Sequence, residues 1–203
     1  MRQLRRAGLL TSKGIRETPL SRLETLIRSA GYFRQKAKRL KMFVRFVDEN
    51  YGGSLSRLFA QPTEPLRQEL LGLNGIGPET ADSILLYAGN HPTFVVDAYT
   101  RRILGRHNIF SEKAAYEEIR QLWEEALAPL ADSGISGQLE TRPQKPETIV
   151  TSHRPSPMST AKRSNVAQVY NEMHGLIVGV GKKYCLKSKP RCAECPLRGF
   201  LPG

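Results

Sequence analysis

The fold is decided by residues 71–88, which read LGLNGIGPETADSILLYA. A helical pattern ends just before a tight turn at 74–77, and Pro78 suits the first turn of a second helix. The two glycines of the turn, Gly75 and Gly77, can adopt positive φ and let a foreign backbone approach closely. Free N–H groups and the positive end of the helix dipole then face the turn, so this stretch predicts an anion site between two helices.

A turn of this kind between two helices is a helix-hairpin-helix, which grips a DNA phosphate without reading the base sequence. Its one apolar residue, Ile76, can anchor the turn to a core. The residues predicted to contact DNA here are Asn74, Gly75, Ile76, Gly77, Glu79 and Thr80. The alternative is an ordinary helix–helix turn that requires two glycines for its geometry.

Helical periodicity extends over most of the chain outside this hairpin. Thr18 and Pro19 predict the start of a helix that ends at Gly31, and a basic amphipathic helix follows from Phe33 to Tyr51. Further helices are predicted at 55–59, at 65–73, after Gly77, at 114–127 and from Val166 onward. Because no alternating strand pattern and no internal repeat is visible, the sequence predicts an all-α fold.

Residues 131–165 interrupt the helical pattern. The segment contains four prolines and many serines and threonines, but no aromatic residue. Such a composition cannot bury enough apolar surface to offset the entropy of ordering, so it predicts a disordered insertion. The insertion interrupts a second helical part at 114–130 and 166–203, which follows a helical domain at 1–113 that contains the hairpin.

Positive charge is concentrated at the two ends of the chain. The net charge is +12, with 13 basic and 2 acidic residues in 1–45 and 8 basic and 2 acidic residues in 161–203. Residues 46–130 carry a net charge of −5. If the ends fold together, they form one positive face that can release counterions from phosphates, so the charge favours nucleic acid over an acidic membrane surface as the partner. Two solvated helix faces without a partner are the alternative.

The composition excludes several other classes of protein. The apolar runs are far too short to span a bilayer, and the basic N-terminus lacks the apolar stretch of a signal peptide. Three cysteines, all within 185–195, do not form the even set of a secreted disulfide framework. We therefore expect a monomeric protein of the cytoplasm, associated with the nucleoid, that has no membrane partner.

A second motif lies downstream of the hairpin. Asp97 follows Gly77 by 20 residues, after a proline-containing loop, within FVVDAYTRRIL at 94–104. A helix-hairpin-helix followed at this distance by Val-Asp resembles the endonuclease III superfamily of DNA glycosylases, and the turn itself is similar to that of the 3-methyladenine glycosylases. The resemblance covers about 20–197 apart from the insertion. It implies an all-α helix-hairpin-helix glycosylase fold and base-excision repair of double-stranded DNA with a damaged base.

Asp97 matches the catalytic carboxylate of this family. Cleavage of an N-glycosidic bond builds positive charge on the sugar, which a fixed carboxylate near C1′ stabilises while it orients or deprotonates a water molecule. The target base is first flipped out of the stack, which costs least for a damaged base. The alternative role of Asp97 is to cap the helix that begins at Ala98, and the two roles are compatible.

Glu79 stands where strand-cleaving members of the family carry a lysine, whose amine attacks C1′ to form a Schiff base. A carboxylate cannot form that imine, so the resemblance implies a monofunctional glycosylase that uses water. Glu79 can also be a solvated first-turn residue that favours the helix dipole. Two further alternatives are a truncated, inactive helix-hairpin-helix DNA-binding protein and a strand-cleaving lyase that uses another amine, such as Lys36.

Three cysteines near the C-terminus, Cys185, Cys192 and Cys195, have the spacing Cys-x6-Cys-x2-Cys. In the family a fourth cysteine follows after five residues, where this chain has Leu201, and four thiolates hold a four-iron, four-sulfur (4Fe-4S) cluster. The resemblance therefore implies a C-terminal iron–sulfur loop in which three ligands hold the cluster with an outside ligand or an open iron, or else a decayed site. Zinc with His174 as an added ligand is a weaker alternative.

Basic residues interleave with these cysteines in CLKSKPRCAECPL, residues 185–197. The resemblance implies that Lys187, Lys189 and Arg191 contact DNA phosphates. Residues 1–30, in contrast, do not match the N-terminal segment of the family, which includes a helix near the flipped base. We expect either that the natural start lies upstream or that the chain is a truncated paralogue.

Overall fold

The computed structural model describes residues 2–111, 113–132 and 163–202, and every regular element among them is helical. The α-helices are, in chain order, α1 Arg2–Arg6, α2 Ser12–Glu17, α3 Leu20–Leu26, α4 Phe33–Tyr51, α5 Leu55–Leu58, α6 Thr63–Leu71, α7 Pro78–Ser83, α8 Ala98–Arg106, α9 Tyr116–Asp132 and α10 Asn165–Lys183. The all-α prediction is confirmed for this part of the chain. No helix within it combines the length and the apolar character needed to cross a membrane.

Two compact units divide the chain, Met1–Gly77 and Pro78–Gly203. The division falls inside the hairpin, between the turn and α7. The sequence-based boundary at residue 113 stays a prediction. Most of the predicted insertion at 131–165 lies outside the described residues, and α9 extends to Asp132.

The core of the first unit forms around α4. Apolar side chains of this helix pack against α2 and α3, while most of its basic side chains are exposed. The buried residues of this core are Leu4, Ile15, Leu23, Ile27, Ala37 and Val44. An apolar stripe of this kind on a 19-residue helix is stable only when it is buried, and the predicted basic amphipathic helix is confirmed.

The predicted helix start at Thr18 is wrong in detail. The Thr18 hydroxyl donates to the carbonyl oxygen of Gly14 at 2.6 Å, so this side chain closes the end of α2. Pro19 then precedes α3 without a side-chain cap. The helix is also shorter than predicted, because α3 ends at Leu26 and a 3-10 turn, Arg28–Ala30, follows it.

The core of the second unit forms where α10 packs against α8 and α9. The loop before α8 contributes the buried residues Phe94, Val95 and Val96 to this core. The Phe94 ring stacks on Trp123 of α9 with a centroid distance of 5.1 Å. These contacts immobilise the loop that ends at Asp97.

The helix after the turn changes its hydrogen-bond pattern halfway. It is α-helical over Pro78–Ser83 and π-helical over Ile84–Gly89. Asn90 ends it with a φ of +56°, and the His91 N–H donates to the Leu85 carbonyl at 3.0 Å. The sequence predicts one longer helix here, because apolar periodicity does not reveal a single wider turn.

A loop follows α10, and two arginines of α8 donate hydrogen bonds to carbonyl oxygens at the start of this loop. Arg102 Nε donates to the carbonyl oxygen of Cys185 at 2.7 Å. Arg106 Nη2 donates to the carbonyl oxygen of Lys187 at 3.0 Å. The cysteine loop is therefore attached directly to the helix that Asp97 begins.

Candidate active site around Asp97

Asp97 lies at the N-terminus of α8, where its side chain caps the helix. Its Oδ1 atom accepts hydrogen bonds from the Thr100 N–H at 2.8 Å and from the Thr100 hydroxyl at 3.0 Å. A capping arrangement of this kind fixes the orientation of the carboxylate. The expected capping role is therefore present, and it uses one carboxylate oxygen while the other, Oδ2, points elsewhere.

Hydrogen bonds from neighbouring helices hold the loop before α8. The Val96 N–H donates to the hydroxyl oxygen of Tyr116 at 3.2 Å, and that hydroxyl donates to Oδ2 of Asp82 at 2.8 Å. The Phe94 N–H donates to Glu124 of α9 at 2.9 Å. Because these backbone groups are satisfied by α9 and, through Tyr116, by α7, the carboxylate at the end of the loop is presented by a fixed backbone.

The second carboxylate oxygen of Asp97 faces His174 of α10. The distance between His174 Nε2 and Asp97 Oδ2 is 3.6 Å, and the two side chains keep only 8% and 14% of their exposure. Tyr87, in the π-helical segment, is hydrogen-bonded through its hydroxyl to Nδ1 of His174. Two neighbouring segments and the distant helix α10 thus bring together a tyrosine, an aspartate and a histidine.

The surroundings of Asp97 favour its ionised form. Burial alone would raise its pKa, but the facing His174 ring and the hydrogen bonds from Thr100 outweigh burial and lower the pKa below the ordinary aspartate value of 3.8. Burial and then the negative charge of Asp97 raise the pKa of Tyr87. At neutral pH the site therefore holds a fixed negative charge beside a tyrosine that keeps its proton.

Glu79 and Thr80 lie in the first turn of α7 and have exposed surfaces. Desolvation, followed by the negative charge of Asp97, raises the pKa of the Glu79 carboxyl, while His174 and Arg101 act in the opposite direction. Glu79 therefore lies within electrostatic range of Asp97. Two carboxyl groups whose pKa values are shifted in opposite directions are typical of sites that perform acid–base chemistry.

The turn before α7 has the predicted geometry only in part. Gly75 has a φ of +82°, and a Cβ built there would lie 2.4 Å from Nε of Arg39. Ile76 is buried and anchors the turn as predicted, while Asn74 is exposed. Gly77 does not have a positive φ, and a Cβ built there would meet no atom within 4 Å. Gly75 is thus required by the turn itself, whereas Gly77 leaves room for another molecule.

All three cysteines of the C-terminal loop line one small cavity. Cys185, Cys192 and Cys195 line a cavity of about 20 Å³ together with Leu201. Arg106 Nη1 donates to Sγ of Cys185 at 3.1 Å. Among the described residues, His, Cys, Asp and Glu side chains form no group of three or more that could hold a metal ion. The cysteines in this arrangement do not fit an iron–sulfur cluster, and the cluster stays a prediction.

The basic residues of the same loop differ in their surroundings. All three are exposed, as contact with DNA requires. Arg191 Nη2 lies 2.6 Å from Oε2 of Glu194, so a neighbouring carboxylate already balances its charge. Lys187 and Lys189 present their ammonium groups to solvent. These two lysines are therefore better placed than Arg191 to meet a phosphate.

Sequence reasoning missed the roles of His174 and Tyr87. It considered His174 only in the weaker zinc alternative, and the structure does not favour that alternative, because His174 faces Asp97 and does not line the cysteine cavity. The available signal was a lone titratable ring in the otherwise mostly apolar stretch MHGLIVGVG at 173–181. Tyr87 gave no such signal, because the π-helical turn that aims its hydroxyl is invisible in the apolar pattern.

Comparison with known proteins gives the family context of this site. The family model of the HhH-GPD superfamily of base excision DNA repair proteins matches residues 1–129. A protein of Methanocaldococcus jannaschii, provisionally named a DNA repair glycosylase, is 37% identical over 198 residues, or 97% of this chain and 73% of that protein. Endonuclease III of Bacillus subtilis is 27% identical over 179 residues, or 88% of this chain and 61% of that protein.

Solved structures share the fold. The 3-methyladenine DNA glycosylase of H. pylori, bound to 1,N6-ethenoadenine, has a TM-score of 0.68 and 26% identity, and covers 90% of this chain and 74% of its own. A non-covalent endonuclease III–DNA complex has a TM-score of 0.64 and 20% identity, and covers 98% of this chain and 73% of its own. The fold is therefore that of the helix-hairpin-helix DNA glycosylases.

Proposed function

The chain belongs to the HhH-GPD superfamily of base excision DNA repair proteins, and from this premise we propose that it is a DNA glycosylase that removes a damaged or mispaired base from double-stranded DNA. The observation that carries the proposal is the carboxylate of Asp97, which is largely buried, ionised and fixed through Oδ1 at the start of α8. Asp97 is the residue proposed to act at the sugar.

The proposed reaction breaks the bond between C1′ of the sugar and a base nitrogen. The bonding electron pair leaves with the base, and positive charge develops on the sugar ring. A carboxylate that is already ionised and oriented stabilises this charge without having to reorganise. Water then adds its oxygen to C1′, and its proton ends on the released base. The products are an abasic site and the free base.

Glu79 supports a monofunctional reaction, in which water and not a side-chain amine attacks the sugar. Its carboxyl group lies within electrostatic range of Asp97, at the position that the resemblance assigns to the lysine of strand-cleaving relatives. A carboxyl group cannot form a Schiff base with C1′. Lys36, the alternative amine, donates to the Ala30 carbonyl at 2.5 Å within the first unit.

Contacts to the DNA backbone are proposed for both units. In the first, the exposed turn residues Asn74, Gly75 and Gly77 offer polar groups and an open approach to a phosphate. In the second, Lys187 and Lys189 offer positive charge. Backbone contacts of this kind position a duplex and make binding sensitive to salt.

The proposed hydrolysis uses no group of the cysteine loop. Analysis of iron and acid-labile sulfide in anaerobically purified protein tests the predicted 4Fe-4S cluster separately. Stoichiometric iron and sulfide would require the thiols of Cys185, Cys192 and Cys195 to move from the arrangement described above. Protein free of both would contradict the cluster.

Base release from defined duplexes tests the proposed activity. The panel contains alkylated, oxidised and mismatched bases, with alkylated purines first because the H. pylori structure that is 26% identical is a 3-methyladenine glycosylase. We expect release from at least one duplex and its loss in Asp97→Asn, which keeps the helix cap because asparagine caps as well as aspartate.

The same panel separates the competing functions. Salt-sensitive DNA binding without release from any duplex supports a DNA-binding protein without turnover and contradicts the glycosylase proposal. Release that persists unchanged in Asp97→Asn contradicts the role of Asp97. Strand cleavage at abasic sites, trapped with borohydride in the unaltered protein, contradicts a monofunctional reaction and supports a lyase.

A further inference from the structure

We propose that His174, held by Tyr87, is a positioning residue that orients the second carboxylate oxygen of Asp97 for the reaction. The inference rests on the proposed function, since it assigns a partner to the carboxylate that acts at the sugar. It concerns His174 of α10 and Tyr87 of the π-helical segment, which belong neither to the glycine turn nor to the Val-Asp motif. Each step follows from contacts within the second unit.

The two oxygens of Asp97 have different partners. Oδ1 is fully engaged by the backbone and hydroxyl groups of Thr100. These bonds place Oδ1 but leave the carboxylate with one oxygen unconstrained. Oδ2 faces Nε2 of His174 at 3.6 Å, which is slightly beyond hydrogen-bond distance. Contacts in unliganded sites are often longer than in the substrate complex, where a small movement closes them.

The Nε2 atom of His174 is a buried polar atom that packing alone does not explain. Among the described side chains it makes no hydrogen bond, although the residue is only 6% exposed. Burying such a group without a partner costs free energy. Asp97 Oδ2 is the acceptor that Nε2 faces. Nε2 and Oδ2 are therefore placed as a donor and an acceptor that a small movement would bring within hydrogen-bond distance.

The Nδ1 atom of His174 is hydrogen-bonded to the Tyr87 hydroxyl, a group that can donate or accept. Asp97 Oδ2, which Nε2 faces, can only accept, so both contacts are satisfied when the hydroxyl donates to Nδ1 and the ring N–H lies on Nε2. In a neutral imidazole, a ring nitrogen that accepts a hydrogen bond leaves the proton on the other nitrogen. The hydrogen-bond pattern thus assigns the N–H to Nε2, the atom that faces Asp97.

A donor at Nε2 suits the chemistry proposed for Asp97, because a carboxylate oxygen can only accept a hydrogen bond. An Nε2–H group that faces Oδ2 orients this oxygen, as the Thr100 groups orient Oδ1. His174 also contacts the buried Phe94 ring edge-on at 6.3 Å between centroids, which holds the imidazole in place.

Substitution of His174 by leucine and by glutamine tests the proposal. Leucine fills the space without a donor, whereas the glutamine amide can offer an N–H near the position of Nε2. We expect His174→Leu to slow single-turnover base release by about ten- to a hundredfold, the range of a hydrogen bond to a charged group. His174→Gln should recover most of this loss. Affinity for abasic-site DNA should change little in either variant.

Tyr87→Phe provides an independent arm. Removal of the hydroxyl frees the imidazole to carry its proton on either nitrogen, so release should slow by about threefold to tenfold, less than in His174→Leu. Thermal unfolding confirms that each variant is folded. If His174→Leu releases base at the unaltered rate, or if His174→Gln is as slow as His174→Leu, the positioning role is overturned.

A spectroscopic readout keeps this inference separate from the proposed function. Carbon-13 NMR of the Asp97 carboxyl follows its titration in the absence of DNA. The charged or titratable groups of the same site are those of Glu79, Tyr87, His174 and Arg101. The pKa of Asp97 should rise in His174→Leu and return towards its original value in His174→Gln. An unchanged titration overturns the inference, whether or not a substrate is found. If Asp97→Asn loses base release while both His174 variants release base at the unaltered rate, the positioning role is overturned and the proposed function is retained.

Discussion

The ring of Tyr99 lies so close to the backbone of Gly181 that a Cβ atom at that glycine would come within 2.4 Å of Tyr99 Cδ1. Tyr99 follows Asp97 by two residues on α8, and Gly181 follows His174 by seven residues on α10. The contact therefore sets the spacing of the two helices that carry the aspartate and the histidine. Arg102 reinforces it, because its guanidinium lies 5.1 Å from the centroid of the Tyr99 ring.

Gly181→Ala should lower the free energy of unfolding by about 1–3 kcal/mol, because the added methyl group forces the two helices apart. Gly179→Ala is the matched control on the same helix, where a Cβ meets no atom within 4 Å. That control should be neutral or stabilising by up to about 1 kcal/mol, since alanine is the better helix former. Urea unfolding followed by circular dichroism measures both, and equal stabilities would contradict the close packing.

Asp97→Asn should show a pH-dependent difference in stability from the unaltered chain. The pKa of Asp97 is lower in the folded state, so its ionised form stabilises the fold above the unfolded-state pKa. That stabilisation is lost as the pH falls through the folded-state pKa. The difference in free energy of unfolding between the unaltered chain and Asp97→Asn should be constant between about pH 7 and 5 and decline below about pH 4. Urea titrations across this range measure it, and an advantage that grows on acidification would be the contrary result.

Glu79→Lys should introduce Schiff-base chemistry, because it places an amine within range of the carboxylate proposed to act at the sugar. Borohydride should then trap a covalent adduct with abasic DNA that the unaltered chain does not form. Glu125→Lys, on the exposed side of α9, makes the same charge change away from the site. Denaturing gels read the adduct, and trapping in neither variant would show that Glu79 does not reach the sugar.

Gly77→Ala and Gly75→Ala should separate DNA binding from folding. At Gly77 a methyl group enters open space, so stability should hold while DNA affinity falls by about tenfold through the obstructed phosphate contact. At Gly75 the φ of +82° and the Arg39 side chain oppose any Cβ, so stability should fall by about 1–2 kcal/mol. Fluorescence anisotropy on a short duplex measures affinity, and unaltered affinity in Gly77→Ala would exclude the turn as a phosphate anchor.

The parts of the molecule that sequence predicts are those set by local chemistry. The glycine turn and the amphipathic helix α4 are each encoded within a few consecutive turns of chain, and the structure contains both. Asp97 is also local, because its cap depends on Thr100 three residues later. The prediction that Thr18 caps the following helix was also local, but it was wrong, because the Thr18 hydroxyl donates to Gly14 of the preceding helix.

The parts that sequence does not predict depend on packing between distant segments. Tyr87 and His174 are 87 residues apart, and no local pattern pairs them. Their meeting requires α10 to pack beside the π-helical segment, which is a property of the whole second unit. The arrangement of the cysteine thiols is similar, because Arg106 of α8 helps to set it through a hydrogen bond to Cys185.

The π-helical segment makes chain length a determinant of the site. A π turn closes between residues i and i+5, so it holds one residue more than an α turn. Loss of one residue from the part of this segment that precedes Tyr87 would let it relax to an α-helix and rotate Tyr87 by about 100° about the helix axis. The hydroxyl would then leave His174 while the aromatic residue itself was retained. In this chain, a change of one residue in the length of the segment before Tyr87 would therefore remove the tyrosine contact as directly as substitution of the tyrosine.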